Sequence, residues 1–195
     1  QALTASLVAR LKRVPFVLEV RDLWPYFAIE VGVLTNPLLI RLSEWLERYL
    51  YRRATIVIVN SPGFLDYVSQ RGAQRVFTVP NGVDPTMITD EAMHAGLRAR
   101  LGLGDDAFVV LYAGAHGMSN DLEVVLQAAA QFSERDQVAF VLIGAGKDKA
   151  NLQADAARMG LKNVYFHPPV PKTEMAGYLV EGDAGLAVLK DIPAY

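Results

Sequence analysis

Several short stretches combine residue types that do chemistry with spacings that present them. Gly114-Ala115-His116-Gly117 follows an apolar run and precedes a helical pattern starting near Asn120. Small residues there free backbone N–H groups beside a helix start, which suits a phosphate; a tight strand-to-helix turn asks for the same residues. Gly144-Ala145-Gly146-Lys147 repeats the arrangement, but Lys149 stands where a third glycine would complete a dinucleotide fingerprint. No acidic residue ends the next run at Phe166, so NAD binding is disfavoured. Lys147 is either a cation for an anionic ligand or a solvated helix-start lysine. Arg21-Asp22 closes the run Phe16–Val20. Asp22 could act as a general base or position a hydroxyl, and Arg21 could hold a phosphate in a bidentate fork. The alternatives are an Arg21–Asp22 ion pair or Asp22 capping the following turn. Asn81-Gly82-Val83-Asp84 reads as a turn rather than a catalytic loop.

These stretches need a scaffold, and the patterning supplies one. Strand-like runs are Phe16–Val20, Thr55–Val59, Val76–Val79, Phe108–Tyr112, Ala139–Ile143, Val164–Phe166 and Gly185–Leu189. Several are apolar at nearly every position, as parallel strands covered on both faces are. Helical patterns lie at Ala2–Lys12, Pro37–Arg52, Pro62–Gln70, Glu91–Leu101, Asn120–Glu134, Lys147–Met159 and Lys172–Val180. Asn36-Pro37 and Ser61-Pro62 are helix starts, and Gly72 and Gly160 are helix ends. Alternation of this kind predicts an α/β fold of βαβ units with right-handed crossovers. The turn cluster near residue 80 and the polar stretch after it divide the chain. A first Rossmann-like domain is expected over residues 1–84, a connection over 85–106, and a second Rossmann-like domain over 107–195. Three strands precede the division and four follow it, against five or six in a doubly wound domain, so both domains are expected to be incomplete.

Composition narrows the function. The chain has 195 residues, 52% hydrophobic and 21% charged, an ordinary globular balance. Nineteen Lys and Arg oppose twenty-one Asp and Glu, for a net charge of −2, which is not the footprint of a nucleic-acid binder. There is no cysteine, which excludes disulfides, a thiolate nucleophile and Cys-ligated metals. No run approaches the ~20 apolar residues of a membrane span. The chain starts at Gln1 and ends at Tyr195 just after a strand-like run, which reads as an internal piece of a longer protein.

The ordered set of motifs resembles the family 4 glycosyltransferases, which have the two-Rossmann GT-B architecture. Within them it is most similar to a bacterial branch related to fucosaminyltransferases of cell-surface polysaccharide synthesis. The motifs are Val20-Arg21-Asp22-Leu23-Trp24-Pro25, Asn60-Ser61-Pro62-Gly63, Val79-Pro80-Asn81-Gly82-Val83-Asp84, Tyr112–Gly117 leading into Leu122–Ala130, Val141–Gly146 and Val164-Tyr165-Phe166. Each is weak alone; they run in family order over almost the whole chain.

The resemblance implies a retaining transfer from a nucleoside diphosphate sugar to a hydroxyl of a glycan or lipid-linked acceptor. The first domain would hold the acceptor, with Arg21 and Asp22 catalytic. The second would hold the donor through Gly114, Ala115, His116, Gly117, Asn120, Gly144, Gly146, Lys147, Val170 and Lys172, with backbone groups near Val170 reading the base. No cofactor or metal is implied, and the chain has no Asp-X-Asp motif. Many relatives place Arg and Lys in the loop where Ala115 and Asn120 stand here, and His where Arg21 stands. The family's glutamate pair would lie beyond Tyr195, so these 195 residues alone are expected to be inactive. A cytoplasmic location, peripheral at the inner face of the plasma membrane, goes with the resemblance. A UDP-sugar 2-epimerase and a non-catalytic nucleotide-binding module are the alternatives.

The helix Pro37–Arg52 carries Leu38, Leu39, Leu42, Trp45, Leu46, Tyr49 and Leu50 on its apolar side, with Arg41, Arg48, Arg52 and Arg53 interspersed. The pattern reads first as a helix with that side in the core. The second reading lays it on an anionic membrane surface.

Overall fold

The computed structural model describes residues 1–84, 86, 96–135 and 137–192. These form two compact units, Gln1–Val83 with Asp191–Tyr195, and Asp84–Lys190. The connection expected over 85–106 falls partly outside the described residues, at 85 and 87–95, as do Glu91–Ala95 of the helix expected there.

In the first unit, α1 (Ala2–Lys12) leads to β1 (Val17–Val20), then a short helix α2 (Tyr26–Glu30) and the long α3 (Pro37–Arg53). Next come β2 (Ile56–Val59), a single 3₁₀ turn at Pro62–Phe64, α4 (Leu65–Gln70) and β3 (Val76–Thr78). The three strands form a parallel sheet in the order β1-β2-β3. Helix starts follow the chemistry of their caps. Asn36 Oδ1 accepts from the N–H groups of Leu38 and Leu39 at 2.9 and 3.3 Å, with Pro37 at the first helical position. Val20, Leu23, Tyr51, Val57, Val59, Val68 and Ala73 form the core.

Helix α3 departs from the first reading of its sequence. Its buried residues are Glu47 and Tyr51, while Leu38, Leu39, Leu42 and Trp45 are exposed. The helix is amphipathic as expected, but its polar-looking side faces the core.

In the second unit, α5 (Leu97–Leu101) precedes β4 (Phe108–Ala113), α6 (Leu122–Ala130), β5 (Val138–Ile143), α7 (Lys149–Arg158), β6 (Val164–His167), α8 (Met175–Leu179) and β7 (Ala184–Gly185). All strands are parallel, in the order β6-β5-β4-β7. Side chains alternate between two cores. Tyr112, Phe140 and Leu142 pack with α6 and α7, whereas Val109, Leu111, Val141 and Ile143 pack with Leu97 and Tyr178. The sheet is therefore covered on both faces, which explains why β5 is apolar throughout. Of the expected run Gly185–Leu189 only Gly185 pairs, with Ala184 before it, against β4. β7 is an edge strand, and Leu189 beyond it is 58% exposed. Helix α6 starts at Leu122 rather than Asn120, because Asp121 sits in the left-handed region with φ 41° and cannot extend it.

Candidate functional site

The chain reverses its direction of growth across the second sheet at β4: β5 and β6 lie on one side of it and β7 on the other. Parallel sheets bind ligands outside the carboxyl end of the strand where the order reverses. Gly114–Gly117 leaves β4 at that end.

This loop is held by its neighbours. Gly114 N donates to Ile143 O at 3.0 Å, His116 N to Ala145 O at 2.9 Å, and Gly144 N to His167 O at 3.2 Å. The ladder thus continues past the ends of β4, β5 and β6. Inside the loop, the Tyr112 hydroxyl donates to Ala115 O at 2.8 Å and accepts from Asn120 Nδ2 at 2.7 Å. Ser119 Oγ donates to Asn120 Oδ1 at 2.9 Å. Asn120, expected as a donor ligand, is a brace for this loop.

Gly144 and Gly146 are required by a close approach. A Cβ on Gly144, whose φ is +147°, would collide with the Gly114 carbonyl, and a Cβ on Gly146 would collide with the His116 backbone. The tight contact these glycines permit is with the protein's own loop.

His116 is fully buried, with 0% of its surface exposed. Its ring lies 6.0 Å from Tyr112 and 6.2 Å from Phe166, centroid to centroid. Neither ring nitrogen has a hydrogen-bond partner among the described residues. Burial, followed by the nearby Lys149 charge, pushes its pKa down. In this structure the His116 imidazole is enclosed and has no exposed surface to present to a ligand. What the loop offers a ligand is backbone.

Lys149 was not singled out from sequence as a site residue. Its Nζ donates to Gly144 O at 2.6 Å and His167 O at 2.8 Å, tying the ends of β5 and β6 together. Burial lowers its pKa. Only its position three residues after Gly146 hinted at it. Lys147 is exposed. Beyond β6, Val170 packs against the α5–α8 side of the core, and Lys172 is exposed and close enough to help lower the Asp84 pKa, behind the Thr86 hydrogen bonds. A hollow of about 250 Å³ beside the loop is lined by Gly117, Asp121, Glu123, Asp148 and Lys190. Three carboxylates against one lysine do not suit a diphosphate.

In the first unit, Arg21 and Asp22 stand at the carboxyl end of β1, both exposed. Arg21 Nε lies 3.9 Å from Glu19 Oε1, a solvated contact of little energy. The ion partner of Arg21 is therefore Glu19, not Asp22. The Asp22 carboxylate makes no hydrogen bond among the described residues; its carbonyl accepts from Trp24 N at 2.9 Å. Both residues line a groove of about 200 Å³ with Leu18, Val20, Trp24, Ser43, Leu46 and Glu47. The Glu47 carboxyl is 5% exposed and meets Arg71 Nε at 3.2 Å. Burial pushes its pKa up, opposed by Arg71 and by the Tyr67 and Tyr51 hydroxyls. Glu47 Oε1 is left without a hydrogen-bond partner among the described residues. Burial and the Glu47 charge raise both tyrosine pKa values. The sequence reading missed this cluster, because Glu47 looks like one more surface charge.

Comparison with known proteins agrees with the fold. Residues 1–82 match the profile of the family described as Glycosyl transferase 4-like domain, and residues 94–190 that of Glycosyl transferases group 1. Over 94 residues the chain is 34% identical to a protein named as a colanic acid biosynthesis glycosyl transferase, WcaI, of Escherichia coli, covering 48% of this chain and 23% of that one. It is 28% identical over 163 residues to the alpha-D-kanosaminyltransferase of Streptomyces kanamyceticus, covering 80% of this chain and 42% of that one. The crystal structure of Anabaena HepE in complex with UDP and glucose superposes with a TM-score of 0.73 at 20% identity, over 94% of this chain and 49% of that one. The chain thus spans less than half the length of each. The relatives bear transferase names, which does not favour the epimerase or the binding module. With two adjoining family matches over most of its length and parallel α/β sheets in both units, the chain belongs to the GT-B glycosyltransferases of family 4 type.

Proposed function

We propose that the protein transfers a sugar, with retention, from a nucleoside diphosphate sugar to a hydroxyl of a glycan or lipid-linked acceptor. The observation that carries this reading is the Gly114–Gly117 loop at the carboxyl end of β4, where the strand order reverses. It is braced by Tyr112 and Asn120 and packed on Gly144 and Gly146. Fixed backbone dipoles of this kind favour a diphosphate on which negative charge grows as the sugar leaves. HepE, of the same fold, has been crystallised with UDP-glucose, which supports a nucleotide sugar as substrate.

In this reading the backbone N–H groups of Ala115 and Gly117 face the diphosphate, Gly114, held by Ile143 O, shapes the turn, Lys147 and Lys172 supply positive charge, and the Val170 segment meets the base. No metal is required. Asp22 positions the acceptor hydroxyl and takes its proton; Arg21 holds a phosphate or the acceptor. Synthesis of a cell-envelope polysaccharide at the inner face of a membrane is the setting that fits a lipid-linked acceptor.

The test uses the protein expressed from its whole gene, with radiolabelled nucleotide sugars. Wild type is expected to transfer label to an acceptor. Asp22→Asn is expected to lose roughly 10²–10⁴-fold in turnover while keeping its affinity for UDP. Full activity in Asp22→Asn would remove Asp22 from the mechanism. Conversion of the donor without any acceptor would favour the epimerase.

A further inference from the structure

We propose that the groove beside Asp22 is a subsite for one neutral sugar ring of the acceptor, with Trp24 against the face of the ring and Glu47 accepting one of its hydroxyls. The inference rests on the transfer proposed above and names the unit that the first domain recognises. The groove, of about 200 Å³, has room for a single ring. Leu18 and Val20 of β1 and Leu46 and Leu50 of α3 give it apolar walls. Trp24 lines it as well, with 57% of its surface exposed. An open aromatic face is a large, rigid apolar surface with a polar edge. A pyranose is its complement, with a face of C–H groups and a rim of hydroxyls.

Glu47 supplies the polar end. Its carboxyl is 5% exposed, and Oε2 meets Arg71 Nε at 3.2 Å, while Oε1 has no hydrogen-bond partner among the described residues. A buried oxygen left unpaired costs stability, which a donor brought by a ligand returns. A stack of side chains fixes its position. The Arg71 guanidinium lies 3.7 Å from the centre of the Tyr67 ring, and Tyr67 stacks on Tyr26 at 5.4 Å, two residues after Trp24. Glu47 and Trp24 are thus held on one frame.

Charge selects the occupant. Arg71 already gives Glu47 a cation, so an ammonium group at Oε1 would enter beside a guanidinium. An anion fares no better, because Glu19, Asp22 and Glu47 line the groove against one guanidinium, that of Arg21. A hydroxyl donates to the carboxylate without either conflict, in a hydrogen bond strengthened by the charge. The groove therefore ranks acceptors: one that presents a sugar fits, and a bare lipid phosphate does not. A lipid-linked acceptor would need an earlier glycosyl transfer to place that sugar.

The experiment is saturation-transfer NMR on the protein expressed from its whole gene. The probes are the methyl glycosides of glucose, galactose, mannose and N-acetylglucosamine, with methyl glucosaminide and geranyl phosphate as the cationic and anionic competitors. At least one neutral glycoside is expected to bind, with saturation reaching its ring C–H protons. In a Trp45→Phe background it should also change Trp24 emission. Trp24→Ala and Glu47→Gln should each weaken binding roughly tenfold. Among the monodeoxy forms of the bound glycoside, one should bind wild type and Glu47→Gln equally weakly, which marks the hydroxyl that Glu47 receives and which a merely structural Glu47 would not produce. Should Glu47→Gln melt early, Trp24→Ala, at an exposed position, still decides. No binding of any neutral glycoside, tighter binding of the glucosaminide or the phosphate, or wild-type affinity in Trp24→Ala would overturn the proposal. UDP binding and the turnover of Asp22→Asn are read separately, so the sugar subsite and glycosyl transfer fail separately.

Discussion

Gly146 lies directly against the backbone of His116: a Cβ added to the glycine would run into the His116 carbonyl oxygen, carbonyl carbon and amide nitrogen at once. The obstacle is main chain, which cannot rotate away as a side chain could. The same His116 amide donates to Ala145 O, and its carbonyl accepts from Asp148 N at 3.1 Å. The candidate donor loop and the start of α7 are thus one interlocked piece.

Gly146→Ala is therefore expected to destabilise the second unit by about 1–3 kcal/mol, the usual range for overpacking. Urea unfolding followed by circular dichroism checks it. An unchanged midpoint would mean that the two loops separate freely, and the argument for a braced loop would fall.

His116 predicts an acid-sensitive fold. Its folded pKa lies below the ordinary value of 6.5, through burial first and the Lys149 charge second. The unfolded chain thus takes up a proton that the folded chain refuses. Stability from this group is complete above about pH 6.5 and declines as pH falls toward the lower, folded value, by up to ~1.4 kcal/mol per pH unit. Thermal melts of His116→Phe should show a shallower fall than wild type across that window. Parallel curves would show that His116 does not carry the acid response.

Two lysines near the start of α7 should separate stability from binding. Lys149→Met removes two charge-assisted hydrogen bonds, to Gly144 O and His167 O, and should cost about 1.5–3 kcal/mol of stability. Lys147→Ala, at an exposed position, should leave the melt unchanged and weaken UDP binding in calorimetry. Equal effects of the two variants on both readouts would contradict this division.

The buried pair Glu47–Arg71 should behave asymmetrically. Arg71→Met leaves a buried carboxylate without its cation and should destabilise by about 3–5 kcal/mol, whereas the double variant Arg71→Met, Glu47→Leu should regain most of that loss. The raised carboxyl pKa adds a sign. The folded state holds the proton more tightly, so stability from Glu47 is full below its unfolded value of 4.5 and declines as pH rises through the folded one. Removing Arg71 should steepen that decline in melts taken between mild acid and neutrality.

Much of this was legible in the residues. β-branched runs bounded by Gly, Pro and Asn announced six of the seven described parallel strands within a residue, because strands buried on both faces leave little choice of composition; the run Gly185–Leu189 overshot β7 by four residues. Asn36 and Ser61 marked helix starts that the structure confirms, since a cap needs only its own side chain and the next two or three amides. Helix α2 was missed: five residues after Trp24-Pro25 are too few to show a period. Sequence position also brought Gly114, His116, Gly144 and Gly146 to adjacent strand ends, as any parallel α/β unit would.

Which side of each element meets the core was decided only by tertiary structure. Periodicity in α3 defines an apolar side but carries no direction. Packing chose to bury Glu47 and Tyr51 because Arg71 and Tyr67 wait there to receive them. Likewise the sequence placed His116 in a glycine-rich loop, where histidines often meet ligands. Only the fold set Tyr112 and Phe166 around its ring and closed it from solvent. Local chemistry depends on neighbours a few residues away and can be read along the chain. Burial depends on residues tens of positions apart, and those meet only when the sheet forms.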